Sequence, residues 1–131
     1  MNKVPDLKNL LYLSNYLTDR IDYLQGAGGN ISEKLDDKVM AIKSSGVEIK
    51  EINQKYGYSL INYEIICSKF SKLPLEISKE QDEAMVSFIN NQRINLPNFK
   101  SLKPSIETGF HSILKKYVIH THSVYCNILA C

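Results

Sequence analysis

"KPSIETGFHSILKKYVIHTHS", residues 103 to 123, is the stretch from which the rest of the chain is best read. Ser105 is placed to cap a helix in which Ile106, Phe110, Ile113 and Leu114 recur at helical spacing and are expected to face inward, with Gly109 the one weak residue of the run. A short Lys-Lys-Tyr connection lets that helix fold back beside an extended segment, Tyr117 to Ser123. Side chains two apart on a strand share a face, so His120 and His122 can converge on one ion while Thr121 points away. Imidazole nitrogens at about 2.0–2.1 Å suit zinc, and a catalytic zinc site normally has three protein ligands and one open position. The pair is therefore one ligand short, and alone it is equally the pattern of histidines in ordinary hydrogen bonds. Glu107 falls in the first turn of the helix, where the dipole favours a carboxylate. Beside a metal, the same carboxylate can take a proton from a carbon acidified by a polarised carbonyl.

Outward from this stretch, "PDLKNLLYLSNYLTDRIDYL" (5–24) carries Leu7, Leu10, Leu11, Leu17, Ile21 and Leu24 near the helical repeat, with Pro5 and Asp6 at its entrance. "GAGGN" then breaks the helix, because Gly26, Gly28 and Gly29 tolerate backbone angles closed to other residues and let another group approach the main chain. "DDKVMAIKSSGVEI" reads as a strand containing Val39 and Ile42, a Ser-Ser-Gly turn and a second short strand. "YSLINY" alternates as a strand, and "EIICSKFSK" is ambiguous. "SKEQDEAMVSFINNQR" opens with Ser78 and Gln81 in capping-box spacing and has an apolar stripe of Ala84, Met85, Phe88 and Ile89, a helix. "INLPNFKSLKP" is a proline-punctuated connection, and "VYCNILAC" begins a further helix. Helices alternating with short strands predict a layered α/β sandwich.

The chain has 131 residues, 44% of them hydrophobic and 23% charged, which bounds it to one domain, residues 1–131, with a sizeable core. Sixteen basic against fourteen acidic side chains leave a charge of +2, spread rather than blocked, so no nucleic-acid or membrane footprint is expected. No stretch approaches the roughly 20 apolar residues of a membrane span and no apolar leader opens the chain, so a cytoplasmic protein is expected. Cys67, Cys126 and Cys131 are an odd count without a Cys-x-x-Cys pair, the pattern of reduced thiols, most of them in the core.

Taken together, "GAGGNIS", "IKSSGVEI" and "KPSIETGFHSILKKYVIHTHS" resemble the class II aldolase/adducin family from about Leu7 onward. The order is Gly-Asn-x-Ser, a Ser-Gly turn after a strand, Pro-Ser-x-Glu with a histidine four residues on, then His-x-His. The resemblance implies a three-layer α/β/α sandwich on a mostly antiparallel sheet, and a homo-oligomer, a tetramer in the family. It implies that His120 and His122 are two of three ligands to zinc or another divalent metal and that Glu107 is the acid/base carboxylate. Gly29 and Asn30 match the first substrate loop, Ser45 and Gly46 the second, and Ser105 the third, the loops that hold a sugar phosphate in the aldolases. Lys43 beside the second loop matches a lysine of the epimerase-like members. Glycine turns that expose N–H groups, with short hydroxyl side chains, suit a phosphate on chemical grounds as well.

The resemblance also has departures. The family's third zinc histidine, and the C-terminal part that carries it, are expected beyond Cys131. His111 is read as a helix residue rather than a ligand, and a structural site using Cys126 and Cys131 is disfavoured by their five-residue spacing. Ile106 stands where phosphate-cleaving members have a second serine, a loss on the order of 1–3 kcal/mol for a bound dianion. The expectation is a zinc-dependent lyase cleaving a ketose phosphate by retro-aldol chemistry. The alternatives are a sugar phosphate 4-epimerase or dehydratase on the same scaffold, and a catalytically inactive adducin-like domain.

Overall fold

The structure is a computed structural model that describes residues 5–130 except 75, 77, 98 and 101. Its elements in chain order are α1 (Lys8–Thr18), β1 (Asn30–Lys34), β2 (Val39–Lys43), β3 (Tyr58–Asn62), α2 (Tyr63–Phe70), α3 (Lys79–Asn91), α4 (Thr108–Ile113), β4 (Tyr117–His120) and α5 (Val124–Ala130), with a 3-10 turn at Ile49–Glu51. The strands form one antiparallel sheet in the order β3-β2-β1-β4.

Strand alternation builds two cores from one sheet. Val39 and Ala41 of β2, with Ile31 and Leu60, pack against Leu7, Leu10 and Leu17 of the α1 segment. Met40 and Ile42, with Ile61, pack on the opposite face against Ile66 of α2 and Met85 and Ile89 of α3. The result is the expected α/β/α layering. Full burial of each such aliphatic side chain contributes roughly 1.5–3 kcal/mol, so both faces are held by their hydrophobic contacts. Ser78 and Gln81 form the expected capping box at the start of α3.

Six local expectations are corrected. The first helix stops at Thr18 and Ile21 is 80% exposed, because the carbonyls of Asp22 and Tyr23 leave the helix to accept the N–H groups of Val124 and His122. After the Ser-Ser-Gly turn there is a 3-10 turn in place of a second strand, closed by the Glu48 N–H donating to the Glu51 carboxylate at 2.7 Å. Helix α4 starts at Thr108, so Glu107 sits one residue before it and Ser105 further out, its carbonyl accepting the Thr108 N–H.

The inward face of α4 is the opposite of the expected one. Ile106, Phe110, Ile113 and Leu114 are all exposed, while Thr108, Gly109, His111 and Ser112 are buried. Gly109 explains this: a Cβ there would lie 1.9 Å from Cζ of Phe70, so the helix meets α2 on its small-residue side and turns its large side chains out. The predicted strand to Ser123 ends at His120. Cys126 is exposed rather than in the core, Cys67 is half-buried, and Cys131 lies outside the described residues.

Strand β1 was missed, since "NISEK" has a single apolar residue among polar ones that are nonetheless buried. One of these, Glu33, directs its carboxylate to the N-terminus of α1, accepting Asn9 Nδ2 at 2.9 Å and the Leu10 N–H at 3.0 Å. That helix has no side-chain cap from its own leading residue. The sheet therefore supplies the acceptor the helix end requires.

Candidate active site

Antiparallel pairing sets Asn30 of β1 directly opposite His120 of β4, and Ser32 opposite Val118. Partners across a ladder point to one face, so Asn30, Ser32 and His120 share the side of the sheet on which α4 lies, while Glu33 turns toward α1. The glycine loop before β1 makes this possible. Gly29 has φ +75°, and a Cβ there would come within 2.4 Å of Leu24 Cδ2 and 2.9 Å of the His120 carbonyl oxygen. A Cβ on Gly28 would lie 3.0 Å from Nδ1 of His122. Both residues are glycine because the histidine segment crosses directly over them.

Glu107 is held at both oxygens. Asn30 Nδ2 donates to Oε2 at 2.9 Å, and His120 Nδ1 lies 2.8 Å from Oε1. Partial burial raises the carboxyl pKa, but the hydrogen bonds from Asn30 and His120 outweigh it and hold the group below its ordinary range. Glu107 is thus a carboxylate at neutral pH, and the contact fixes the His120 ring through Nδ1 in the manner of carboxylates that orient metal-ligating histidines.

His111, read from sequence as an ordinary helix residue, is drawn into the cluster. It is 2% exposed, its Nδ1 lies 2.7 Å from Ser32 Oγ, and burial lowers its pKa to about 4. It is therefore neutral at pH 7, the form that ligates metals. Donor atoms of Glu107, His111 and His120 lie within 4.8 Å of one another. The signal was present in the spacing, since Glu107 and His111 are four apart, one helical turn.

His122 follows the end of β4, is exposed, and is anchored by its N–H to the Tyr23 carbonyl at 2.9 Å. Its ring centroid is 5.0 Å from that of His120. His122 is nevertheless outside the group whose donor atoms converge, which is Glu107, His111 and His120. All three histidines of the chain consequently lie around one carboxylate or against one another. A further acceptor waits beside them: Asn30 is 1% exposed and its Oδ1 has no hydrogen-bond partner among the described residues. Buried polar atoms are rarely left so, and an orphan here marks a place for a donor from a ligand. Glu107, His111 and His120 line a cleft of about 430 Å³ with Phe110, Leu114 and Ile119.

Two of the remaining expected residues share a second space. Ser45 and Ser105 line a cavity of about 230 Å³ together with Lys103, Asn90 and Ile106. Ser44 bridges to Pro104, and the Ser45 N–H donates to the Lys103 carbonyl at 2.9 Å, so the second and third loops are joined and that main-chain donor is spent. Gly46 turns with φ +74°. Lys43, expected to face substrate, is 3% exposed and lines neither space.

The family model described as the class II aldolase and adducin N-terminal domain matches residues 9–131, and the chain belongs to that family. Among curated proteins none matches the chain. The family holds lyases as well as non-enzymatic adducins, so membership fixes the scaffold and leaves the reaction to the side chains. Among the described residues no helix is long and apolar enough to cross a membrane.

Proposed function

We propose that this domain carries out metal-dependent retro-aldol cleavage of a phosphorylated ketose. The observation that carries the reading is the doubly held Glu107 carboxylate, 2.8 Å from Nδ1 of His120, whose ring lies 5.0 Å from that of His122. His120 and His122 would hold zinc or another divalent ion, with Glu107 and His111 within reach of the same region. Such an ion supplies positive charge where a substrate carbonyl oxygen becomes an oxyanion.

The chain's own residues do the rest. Glu107, ionised at neutral pH, takes a proton from the carbon next to the carbonyl in the synthetic direction and returns it there after cleavage. Asn30 orients that carboxylate through Nδ2 and offers Oδ1 to a substrate hydroxyl. The loops at Gly29–Asn30, Ser45–Gly46 and Ser105 would hold the phosphate end. Exposed Phe110, Leu114, Ile119, Ile128 and Leu129 support self-association into a homo-oligomer.

The test is release of dihydroxyacetone phosphate from ketose 1-phosphates by the metal-loaded protein. Glu107→Gln is expected to lower the rate by about 10²–10⁴-fold when compared with wild type at saturating metal. A metal-loaded wild type that is inert toward these substrates would contradict the reading. Product analysis separates a 4-epimerase or dehydratase on the same residues. One observation favours a non-catalytic, adducin-like domain: Ile106, 76% exposed at the third loop, brings an apolar side chain where an anion cradle gains from a hydroxyl.

A further inference from the structure

Two of the proposed substrate loops, residues 26–29 and 44–47, lie at the same end of the paired strands β1 and β2, one leading into β1 and the other leaving β2. Their glycines, Gly29 and Gly46, both have positive φ, and neither loop lies within a helix or an extended strand pairing. The β1–β2 pairing brings the loops side by side, and a contact beyond the ladder must fix their tips if they are to present groups to a single ligand.

Lys43 is placed to do this. It ends β2, is 3% exposed, and its Nζ lies 3.1 Å from the carbonyl oxygen of Ala27 in the first loop, 2.7 Å from that of Val47 in the second and 3.5 Å from that of Ser44. An ammonium has three N–H donors and no acceptor. Three carbonyls from the two loops therefore use its whole donor capacity, and none remains for a substrate oxygen. Burial lowers the pKa of the amine, while the carboxylates of Glu107 and Glu51 favour its charged form. Such a buried cation is tolerable only because the carbonyls solvate it in place of water.

We propose that Lys43 is a positioning residue, an internal tie that locks the two loops together, and not a ligand for the substrate phosphate. The phosphate-binding role of the loops rests on the function proposed above; the tie itself does not. Its charge is solvated by backbone oxygens of both loops, so the carbonyls of Ala27, Ser44 and Val47 turn inward to one cation.

Brief reductive methylation of the intact wild-type protein, with and without inorganic phosphate, gives the first reading. Lys43 is expected to be labelled at least about tenfold more slowly than exposed Lys55 in both conditions. Labelling of Lys43 at the rate of a surface lysine, or protection that depends on phosphate, would overturn the proposal. The second reading is amide hydrogen exchange in Lys43→Met and in the milder Lys43→Gln. Residues 26–29 and 44–47 are expected to exchange about tenfold faster together, with β3 unchanged, and the affinity for inorganic phosphate to fall by a similar factor while zinc uptake is retained. Weaker phosphate binding without faster exchange would mean direct ligation and sink the proposal. Faster exchange in a protein that never bound phosphate would leave the tie standing and count against the substrate reading instead.

Discussion

A methyl group at position 29 would do more harm than its size implies. The backbone there has φ +75°, and the added carbon would meet Leu24 at 2.4 Å and the His120 carbonyl at 2.9 Å. Gly29→Ala is expected to cost about 1–3 kcal/mol and to shift His120, so thermal melting and zinc uptake should fall together. At Gly28 the added carbon would meet the Gln25 carbonyl oxygen at 2.9 Å and Nδ1 of His122 at 3.0 Å, so Gly28→Ala should lower melting and zinc uptake as well. His111 gives a pH dependence. Its pKa is lowered from 6.5 to about 4 in the fold, so below pH 6.5 the unfolded chain binds the extra proton first. Its contribution is thus fully present above pH 6.5 and is lost as pH falls toward 4, up to about 3 kcal/mol in all. Urea midpoints of the metal-free protein across that range should show the slope, and His111→Gln should flatten it. Spacing pointed to Glu107 and His120 and the family resemblance to Asn30, and the structure brings these three together with His111 and its partner Ser32, which neither singled out for the site. The four-residue spacing of Glu107 and His111 was the one sign available, and it does not reveal that packing buries His111 against Ser32.

Among the elements, those legible from sequence are the ones whose ends carry their own signals. Ser78 and Gln81 announce α3, and Ser78→Ala should cost about 1 kcal/mol of stability in a denaturant titration, with no effect on metal binding. Helix α1 behaves differently, because its N-terminal acceptor comes from Glu33 across the layer boundary. Glu33→Gln places an amide where the Asn9 amide and the Leu10 N–H both need an acceptor, and a loss of about 1–3 kcal/mol is expected in the same titration. Sequence could not foresee that contact, and β1 escaped for the related reason that its buried side chains are Asn30, Ser32 and Glu33. Helix α4 misled in the opposite sense. Its apolar residues have helical spacing, but Gly109 beneath the Phe70 ring decides which face goes in, and nothing local to the helix reveals Phe70.

For the whole molecule, the alternation of helices with short strands was enough to indicate a layered α/β sandwich, and Val39 and Ala41 against Met40 and Ile42 realise its two faces. What alternation does not contain is the order β3-β2-β1-β4, which brings the end of the chain beside the strand that follows the glycine loop. The site exists only through that long-range pairing of Asn30 with His120. Tyr125, Ile128 and Leu129 of α5 are exposed, as are Phe110 and Ile113, so sedimentation is expected to show self-association that weakens when Ile128 and Leu129 are both changed to serine. The central claim is that Glu107, beside a metal held by the neighbouring imidazoles, moves a proton at the carbon next to a carbonyl. Incubating the zinc-loaded protein with dihydroxyacetone phosphate in deuterated water and following the carbon-bound protons by NMR tests this without any aldehyde partner. Metal-dependent exchange of one proton at the hydroxymethyl carbon, abolished in Glu107→Gln with zinc still bound, is the predicted result. No exchange by a protein carrying one zinc per chain, or exchange that persists in the glutamine variant, would contradict it.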